Sequence, residues 1–339
     1  MVKTQPRTPK PNTLLPLPHA VGVHCSSTSV RDVLAYDGVH LSEAMVFGLG
    51  SGLGFVLWPD PDQPPALRFN GRARDLEGKF YANVGAPLTW ARRWDPHAMR
   101  EALERGRPLL AQTDIQPLPY YDGVHFAGHG VVIVGLDVEA NTAWLADVIA
   151  DEPQPVPLDA LQRAMGPNPS PLTEAYHWAP APRVHLHMGA PLIRRAVRVV
   201  VEEMLAPDTP EAVGLPAMRR YIAALPESRH APNPQWVARF AYQTIEKRGT
   251  GGGAFRLLYA QFLREAAAWV PALAALAEEA EAIGRRWQAL AQIFKRTFIE
   301  NDWDGFTQAA EALAAIADAE EAWLARLAEA VEVEGVSRR

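Results

Sequence analysis

Residues 23–34 read VHCSSTSVRDVL, and this stretch leads from an extended segment into an amphipathic helix. It contains Cys25, the only cysteine among 339 residues. A thiol at a helix N-terminus faces backbone N–H groups and the positive end of the helix dipole, and both stabilise the thiolate. The position of Cys25 therefore predicts a nucleophile. The alternative is a buried free cysteine that packs as a small apolar side chain.

The composition limits the classes of protein to consider. With 48% hydrophobic and 21% charged residues, the chain has the composition of a globular protein and is long enough for two domains. Its formal net charge of −6 argues against a nucleic-acid binder. The sequence contains neither the apolar core of a signal peptide nor a run of about 18 apolar residues. We therefore expect a cytoplasmic protein that does not bind nucleic acid or membranes.

The sequence changes character near residue 190. Before it, short strand-like and helical segments alternate with Pro and Gly, and after it the chain is rich in Ala, Leu and Glu with helical periodicity. This pattern predicts an α+β protein with an N-terminal extension over residues 1–18, a mixed domain over 19–188 and an all-α domain over 189–339. Predicted strands include 108–113, 130–136, 142–148 and 181–187, and predicted helices include 27–36, 96–105, 157–165, 192–205, 209–225, 233–248, 254–278, 280–299 and 303–333.

A general base and an orienting group for Cys25 stand on a predicted hairpin. His129 begins the strand 130–136, and Asp147 ends the following strand. With a turn near Val138, the two side chains project from one face of the sheet. A carboxylate beside an imidazole fixes its tautomer and stabilises the imidazolium that forms when a thiol ionises. The three residues together predict a catalytic triad. Taken singly, a histidine before a strand is often a core residue, and an aspartate after a strand often forms a turn.

Other residues near Cys25 are candidates for substrate binding. These are His24, Ser26, Glu43 and Gly128. Glu43 also follows Ser42 at a predicted helix start, where a carboxylate complements the helix dipole. His24, Cys25, His125 and His129 include good zinc ligands, but glycine interrupts the His-x-x-x-His segment, so we predict no metal site.

Two glycine-rich runs have two interpretations each. Residues 48–54 follow a predicted helix and lack the P-loop Lys and Ser/Thr, so a tight turn beside a cleft is favoured over phosphate binding. Residues 249–253 precede a helix that carries Arg256. The run can bind an anion, or it can serve only as a linker between two helices. The next helix has an apolar stripe that can cover its own core or a second subunit, so a homodimer is one expectation. The stripe consists of Phe255, Leu258, Tyr259 and Phe262.

Several motifs carry a family resemblance. They are His24-Cys25-Ser26-Ser27-Thr28, then Leu41-Ser42-Glu43-Ala44-Met45 with Phe47-Gly48-Leu49-Gly50, and then Gly128-His129 with Val131-Val132 and Val134-Gly135. In residue type and order they resemble the N-terminal domain of the butirosin-biosynthesis H protein family over about residues 19–180. The later run Gly251-Gly252-Gly253-Ala254-Phe255-Arg256 resembles the uncharacterised helical domain that commonly follows it.

This resemblance implies a papain-like cysteine-protease fold, related to the peptidases that process bacteriocin leaders. The namesake is an acyltransferase that moves an acyl group from an acyl carrier protein to an amine of an aminoglycoside. By motif, the nucleophile, the base and the acidic residue fall on Cys25, His129 and Asp147. Val148 follows Asp147 where related peptidases often have proline, and no glutamine equivalent to that of the papain oxyanion hole is evident.

The function expected from the residues and the resemblance is a cysteine-dependent acyltransferase of secondary metabolism that needs no cofactor. Its partners would be an acyl carrier protein or other thioester donor and an amine-bearing small-molecule acceptor. Two alternatives remain. One is a cysteine peptidase or amidase with the same triad and water as the acceptor, and the other is a non-catalytic papain-like binding protein.

Overall fold

Strands and helices alternate up to residue 180 and helices follow, so the protein is α+β with a helical C-terminal region. The computed structural model describes residues 14–59, 65, 67–123, 125–167, 174–208 and 213–332, and most of the predicted extension 1–18 lies outside them. The elements are α1 (Cys25–Tyr36), α2 (Glu43–Leu49), β1 (Leu53–Pro59), β2 (Leu67–Arg72), α3 (Leu76–Asn83), β3 (Ala91–Arg92), α4 (Pro96–Glu104), β4 (Leu109–Asp114), β5 (Ala127–Asp137), β6 (Thr142–Ala146), β7 (Gln154–Pro157), α5 (Leu158–Met165), β8 (His177–Pro180), α6 (Ala190–Met204), α7 (Gly214–Ala224), α8 (Pro234–Glu246), α9 (Arg256–Ala266), α10 (Leu273–Glu300) and α11 (Gly305–Val331).

The chain divides into two compact units, and each unit combines two separate segments of the sequence. The first unit comprises Met1–Val46 and Glu77–Leu186, and the second comprises Phe47–Leu76 and His187–Arg339. Residues 47–76, which the sequence pattern assigned to the first part, therefore belong with the helices of the second unit.

An antiparallel sheet of six strands forms the centre of the first unit, in the order β3-β8-β4-β5-β6-β7. The inner strand β5 is the longest, and all of its residues except the two end ones are buried. Helices α1 and α4 pack against β5, and α5 packs against β4. Cover of this kind explains the continuous apolar sequence of β5, because a strand buried on both faces has no polar alternation.

The second unit combines a hairpin with a helical bundle. Strands β1 and β2 pair antiparallel, and Phe55 stacks on Phe69 across the hairpin with ring centroids 5.3 Å apart. The Phe69 ring also lies 4.8 Å from Tyr221 of α7 and 6.1 Å from Trp287 of α10. These aromatic contacts are the physical reason why the hairpin is part of the second unit.

Proline accounts for two errors in the predicted elements. The strand expected over 181–187 is wrong, because β8 covers His177–Pro180. Pro182 has no N–H group with which to extend the ladder. The helices expected over 254–278 and 280–299 are also divided elsewhere, since α9 ends at Ala266 and α10 begins at Leu273. Pro271 lies in the connection between them.

The apolar stripe of α9 is buried inside the second unit. Phe255, Tyr259 and Phe262 are at most 1% exposed, and Leu258 is 8% exposed. This burial removes the argument on which the homodimer expectation rested, so the oligomeric state stays a prediction. Within the described ranges, no helix combines the length and apolar character needed to cross a membrane.

Candidate active site

Cys25 is the first residue of α1, and the local sequence fixes the start of that helix. His24 precedes it with extended backbone, and its Nδ1 accepts a hydrogen bond from the Ser27 backbone N–H at 3.4 Å. The Ser27 hydroxyl also lies 3.0 Å from the same nitrogen. Cys25 is 8% exposed. The thiol is therefore held in the first turn of a capped helix, where the helix dipole stabilises a thiolate.

Glu43 organises the turn that precedes Cys25. Its carboxylate accepts hydrogen bonds from the backbone N–H groups of Val23, at 3.0 Å, and His24, at 2.7 Å. The hydroxyls of Ser27 and Thr28 donate to it at 3.1 and 3.2 Å. Four donors of the same chain thus surround the carboxylate that the sequence suggested for substrate binding. These contacts hold the turn that precedes Cys25, and substrate binding by Glu43 stays a prediction.

Gly128 forms a bulge in β5 that affects the direction of the neighbouring His129 side chain. In the pairing of β4 with β5, Thr113 lies opposite His129 and Asp114 lies opposite Ala127, so Gly128 is an extra, bulged residue. Its φ of 78° is in the left-handed region that glycine adopts at low cost. Bulges of this kind redirect the neighbouring side chain. The left-handed backbone at position 128 therefore explains why this residue is a glycine. Substrate contact at Gly128 stays a prediction.

The structure brings Cys25, His129 and Asp147 together. His129 Nε2 lies 2.9 Å from Oδ1 and 3.0 Å from Oδ2 of Asp147. The imidazole also hydrogen-bonds the Cys25 thiol. Because Nε2 faces the carboxylate, Nδ1 is the ring nitrogen left for the thiol. His129 and Asp147 are 5% and 0% exposed. This is the geometry of a base held between a nucleophile and an orienting carboxylate.

Two tyrosines that were not predicted from the sequence donate hydrogen bonds to the Asp147 carboxylate. Tyr120 donates its hydroxyl to Asp147 Oδ2 at 2.8 Å, and Tyr121 donates to Oδ1 at 3.1 Å. The Tyr121 hydroxyl is also 3.2 Å from His129 Nε2. Both lie in the connection between β4 and β5. The adjacent aromatic pair in the run PLPYYDG at 117–123 is the only signal in the sequence, and it has no distinctive spacing.

Electrostatics favour the charged forms of the base and its partner. Burial alone would lower the pKa of His129, but the charges of Asp147 and Cys25, with hydrogen bonds to both, raise that pKa to about 10. Burial would likewise raise the pKa of Asp147, yet the charge of His129 and the hydrogen bonds from His129, Tyr120 and Tyr121 lower it. Both shifts favour an imidazolium at His129 beside an ionised Asp147 carboxylate.

The remaining candidates around Cys25 are packed into the first unit. His24 and Ser26 are 2% and 1% exposed, so substrate contact through their side chains stays a prediction that the burial does not favour. The ring of His125 turns to Asp114, with Nδ1 2.7 Å from Oδ2. Among the described residues, no group of three or more His, Cys, Asp or Glu side chains is arranged to hold a metal ion.

The two glycine-rich runs have packing roles in the second unit. A Cβ on Gly50 would lie 2.8 Å from the Leu76 side chain, and one on Gly52 would lie 2.6 Å from Phe47, so close approach explains these glycines. After the second run, the guanidinium of Arg256 is buried against Glu320 at 2.8 Å. The charge considered for an anion is therefore neutralised by a carboxylate of the same chain.

Comparison with known proteins agrees with the motifs. Residues 24–148 match the family model described as Butirosin biosynthesis protein H, N-terminal, and residues 159–327 match Domain of unknown function (DUF4872). No curated protein matches the chain. The resemblance inferred from the sequence is thus confirmed for both parts. The chain is thus similar to the N-terminal domain of butirosin biosynthesis protein H in its first part and to a domain of unknown function in its second.

Proposed function

We propose that the protein is a cysteine-dependent acyltransferase with a papain-like first unit. It takes an acyl group from a thioester, such as that of an acyl carrier protein, and gives it to an amine-bearing small molecule. The observation that carries the proposal is the buried contact of His129 with Asp147 at 2.9 Å, combined with the hydrogen bond of the same imidazole to Cys25. The name of the matched family, which refers to butirosin biosynthesis, supports a place in secondary metabolism.

The papain-like assignment rests on the arrangement of elements. Cys25 begins α1, which packs against β5, and β5 carries His129. Asp147 directly follows the neighbouring antiparallel strand β6. A cysteine at a helix N-terminus, followed in the chain by a histidine and an acidic residue on adjacent strands, is the order expected of a papain-like enzyme.

The first half-reaction forms an acyl-enzyme. The Cys25 thiolate attacks the thioester carbonyl, and a new S–C bond forms while the bond to the donor sulfur breaks. The departing thiolate takes the proton of the His129 imidazolium. The backbone N–H of Cys25 is the natural donor for the developing oxyanion, because it lies beside the attacking sulfur. Neutral His129 and acyl-Cys25 remain.

The second half-reaction restores the thiolate–imidazolium pair. The acceptor amine attacks the acyl carbon, an N–C bond forms, and His129 takes the proton that the nitrogen loses. The bond to Cys25 breaks and the thiolate departs. Throughout, Asp147 holds the imidazole ring and stabilises its charged form. With water in place of the amine, the same steps give hydrolysis.

Acyl transfer to Cys25 can be measured by intact mass. The protein is incubated with an acyl-N-acetylcysteamine thioester, and then with an aminoglycoside or with buffer alone. Because Cys25 is the only cysteine, added mass that a thiol-specific label prevents must lie on it. We expect the acyl mass to appear on the protein and to leave faster with the amine than with buffer, and Cys25→Ser to stay unmodified.

Other outcomes select the alternatives. Loss of the acyl group at the same rate with and without amine would favour the peptidase or amidase function. If Cys25 remains unacylated and reacts with iodoacetamide no faster than a free thiol at pH 7, a non-catalytic binding protein is the better description. Full turnover by Cys25→Ser on an acyl donor and amine would contradict the mechanism.

A further inference from the structure

His19, six residues before Cys25, contacts the part of the chain that carries Asp147. Its Nε2 lies 3.1 Å from the carbonyl oxygen of Asp147 and 2.7 Å from that of Ala150. The other ring nitrogen, Nδ1, lies 2.5 Å from Oδ2 of Asp32. The His19 side chain is 3% exposed. One buried ring thus meets two backbone carbonyls and one carboxylate.

These three contacts bear on the charge of the ring. A carbonyl oxygen can only accept, so Nε2 carries a proton, and a carboxylate faced by Nδ1 calls for a second proton there. Asp32 is itself buried, and Arg31 on the same helix donates to its Oδ1 at 2.9 Å. Burial lowers the pKa of His19, but the hydrogen bond and charge of Asp32 and the two carbonyls raise it above its ordinary value. The contacts and the raised pKa thus favour the imidazolium form of His19.

The contacts of His19 join two elements of the candidate active site. Residues 147–150 form a turn closed by the Ala150 N–H, which donates to the Asp147 carbonyl at 3.1 Å. His19 donates to both ends of that turn. On its other side it pairs with Asp32, which lies two helical turns after Cys25 on α1. A movement of the turn relative to α1 would break at least one of these bonds.

We propose that His19 is a positioning residue of the Cys25 site, which as an imidazolium cation holds the turn that carries Asp147 against the helix that carries Cys25. The inference rests on the proposed function in one respect, since it assumes that Cys25 reacts as a thiolate paired with His129. His19 acts through Asp147 and touches none of the reacting atoms.

The test uses the full chain and the rate at which iodoacetamide alkylates Cys25 without substrate. The rate is compared at a pH below the midpoint of the wild-type alkylation profile, where it falls tenfold for each unit by which the pKa of the thiol rises. We expect His19→Gln to slow alkylation about tenfold, the equivalent of one pKa unit of weaker thiolate–imidazolium pairing. His97→Gln changes an exposed histidine of α4 and should leave the rate unchanged. In an Asp147→Asn background, His19→Gln should slow the reaction less than about twofold, because the residue through which it acts is already altered.

Each result has a defined meaning. A His19→Gln rate equal to that of the wild type, or a full tenfold loss also in the Asp147→Asn background, would overturn the role of His19. A wild-type rate no faster than that of a free thiol would instead contradict the proposed function. The ¹⁵N NMR signals of His19 in the wild type give a second measurement that does not depend on the folding of a variant. Two protonated ring nitrogens at pH 7 support the inference, and a neutral ring overturns it.

Discussion

At the scale of single residues, Asp147 is the centre of the site. A fully buried carboxylate is costly unless charges and donors compensate it. Here His129, Tyr120 and Tyr121 all hydrogen-bond the carboxylate, and His19 holds the carbonyl of the same residue. Since Asp147 has no exposed surface, its charge acts on the imidazole without competition from water.

Replacing Asp147 with asparagine tests this charge. In the folded protein the pKa of His129 is raised to about 10, so the stabilisation it gives is complete below about pH 6.5, its ordinary value, and is lost as the pH rises through 10. Without the carboxylate this loss should shrink. We expect the decrease in unfolding free energy between pH 6 and pH 10 to be smaller in Asp147→Asn by at least about 1 kcal/mol, as measured by urea unfolding.

The same variant should also change the chemistry of Cys25. The midpoint of the iodoacetamide pH profile is expected to move towards about 8.5, the value of an ordinary thiol, because the imidazolium partner is weakened. Asp159→Asn is the matched control, since this aspartate of α5 is exposed and pairs with the exposed Arg163. A wild-type profile retained in Asp147→Asn would mean that Asp147 does not support the thiolate.

At the scale of elements, α1 and the turn before it depend on a residue of another helix. Glu43 lies in the first turn of α2 and satisfies the N–H groups of Val23 and His24. A glutamine has the same shape but brings two N–H donors and one acceptor oxygen in place of two. The turn that presents Cys25 would then lose part of its anchoring.

Glu43→Gln should therefore loosen that turn. We expect faster hydrogen exchange of the Val23 and His24 amides and a loss of about 1.5–3 kcal/mol in the unfolding free energy of the first unit, the usual contribution of a hydrogen bond to a charged group. Hydrogen-exchange mass spectrometry of peptides over residues 19–30 gives the measurement. Glu101→Gln on the exposed side of α4 is the control. Unchanged exchange in Glu43→Gln would show that the turn is held by other contacts.

The sequence predicted the elements whose signals are local. The helix at Cys25 and the β5–β6 hairpin each have a start or turn signal and an apolar pattern, and α1, β5 and β6 lie close to the expected positions. Tyr120, Tyr121 and His19 were missed because their roles come from contacts with Asp147, which is 26 to 128 residues away in the chain. A single sequence contains no local trace of such contacts.

At the scale of the whole molecule, the second unit is built from two separate parts of the chain, and Arg256 joins them. Its guanidinium donates to the carbonyls of Gly54, at 3.1 Å, and Gly71, at 2.8 Å, which lie in the β1–β2 hairpin. It also pairs with Glu320 of α11 at 2.8 and 2.9 Å. Arg256 and Glu320 are 2% and 1% exposed. The helices and the hairpin are thus linked through one buried cation.

Replacing one partner of this ion pair should strongly lower the stability of the second unit. Arg256→Met leaves the Glu320 carboxylate buried with only Trp287 still seen to donate to it, at 2.7 Å, and frees the two hairpin carbonyls. We expect the unfolding free energy of the second unit to fall by about 3–5 kcal/mol, the typical cost of an uncompensated buried charge. Hydrogen exchange of peptides from β1 and β2 should rise together with that of α11.

Two further variants identify the cause of the loss. The double variant Arg256→Met with Glu320→Leu removes both charges and should recover most of the stability, whereas Arg264→Met removes an exposed arginine of α9 and should have little effect. Because the hydrogen bonds seen for Arg256 all stay within the second unit, the alkylation profile of Cys25 should not change in Arg256→Met. If that profile moves as far as it does in Asp147→Asn, the site in the first unit depends on the second unit for its order.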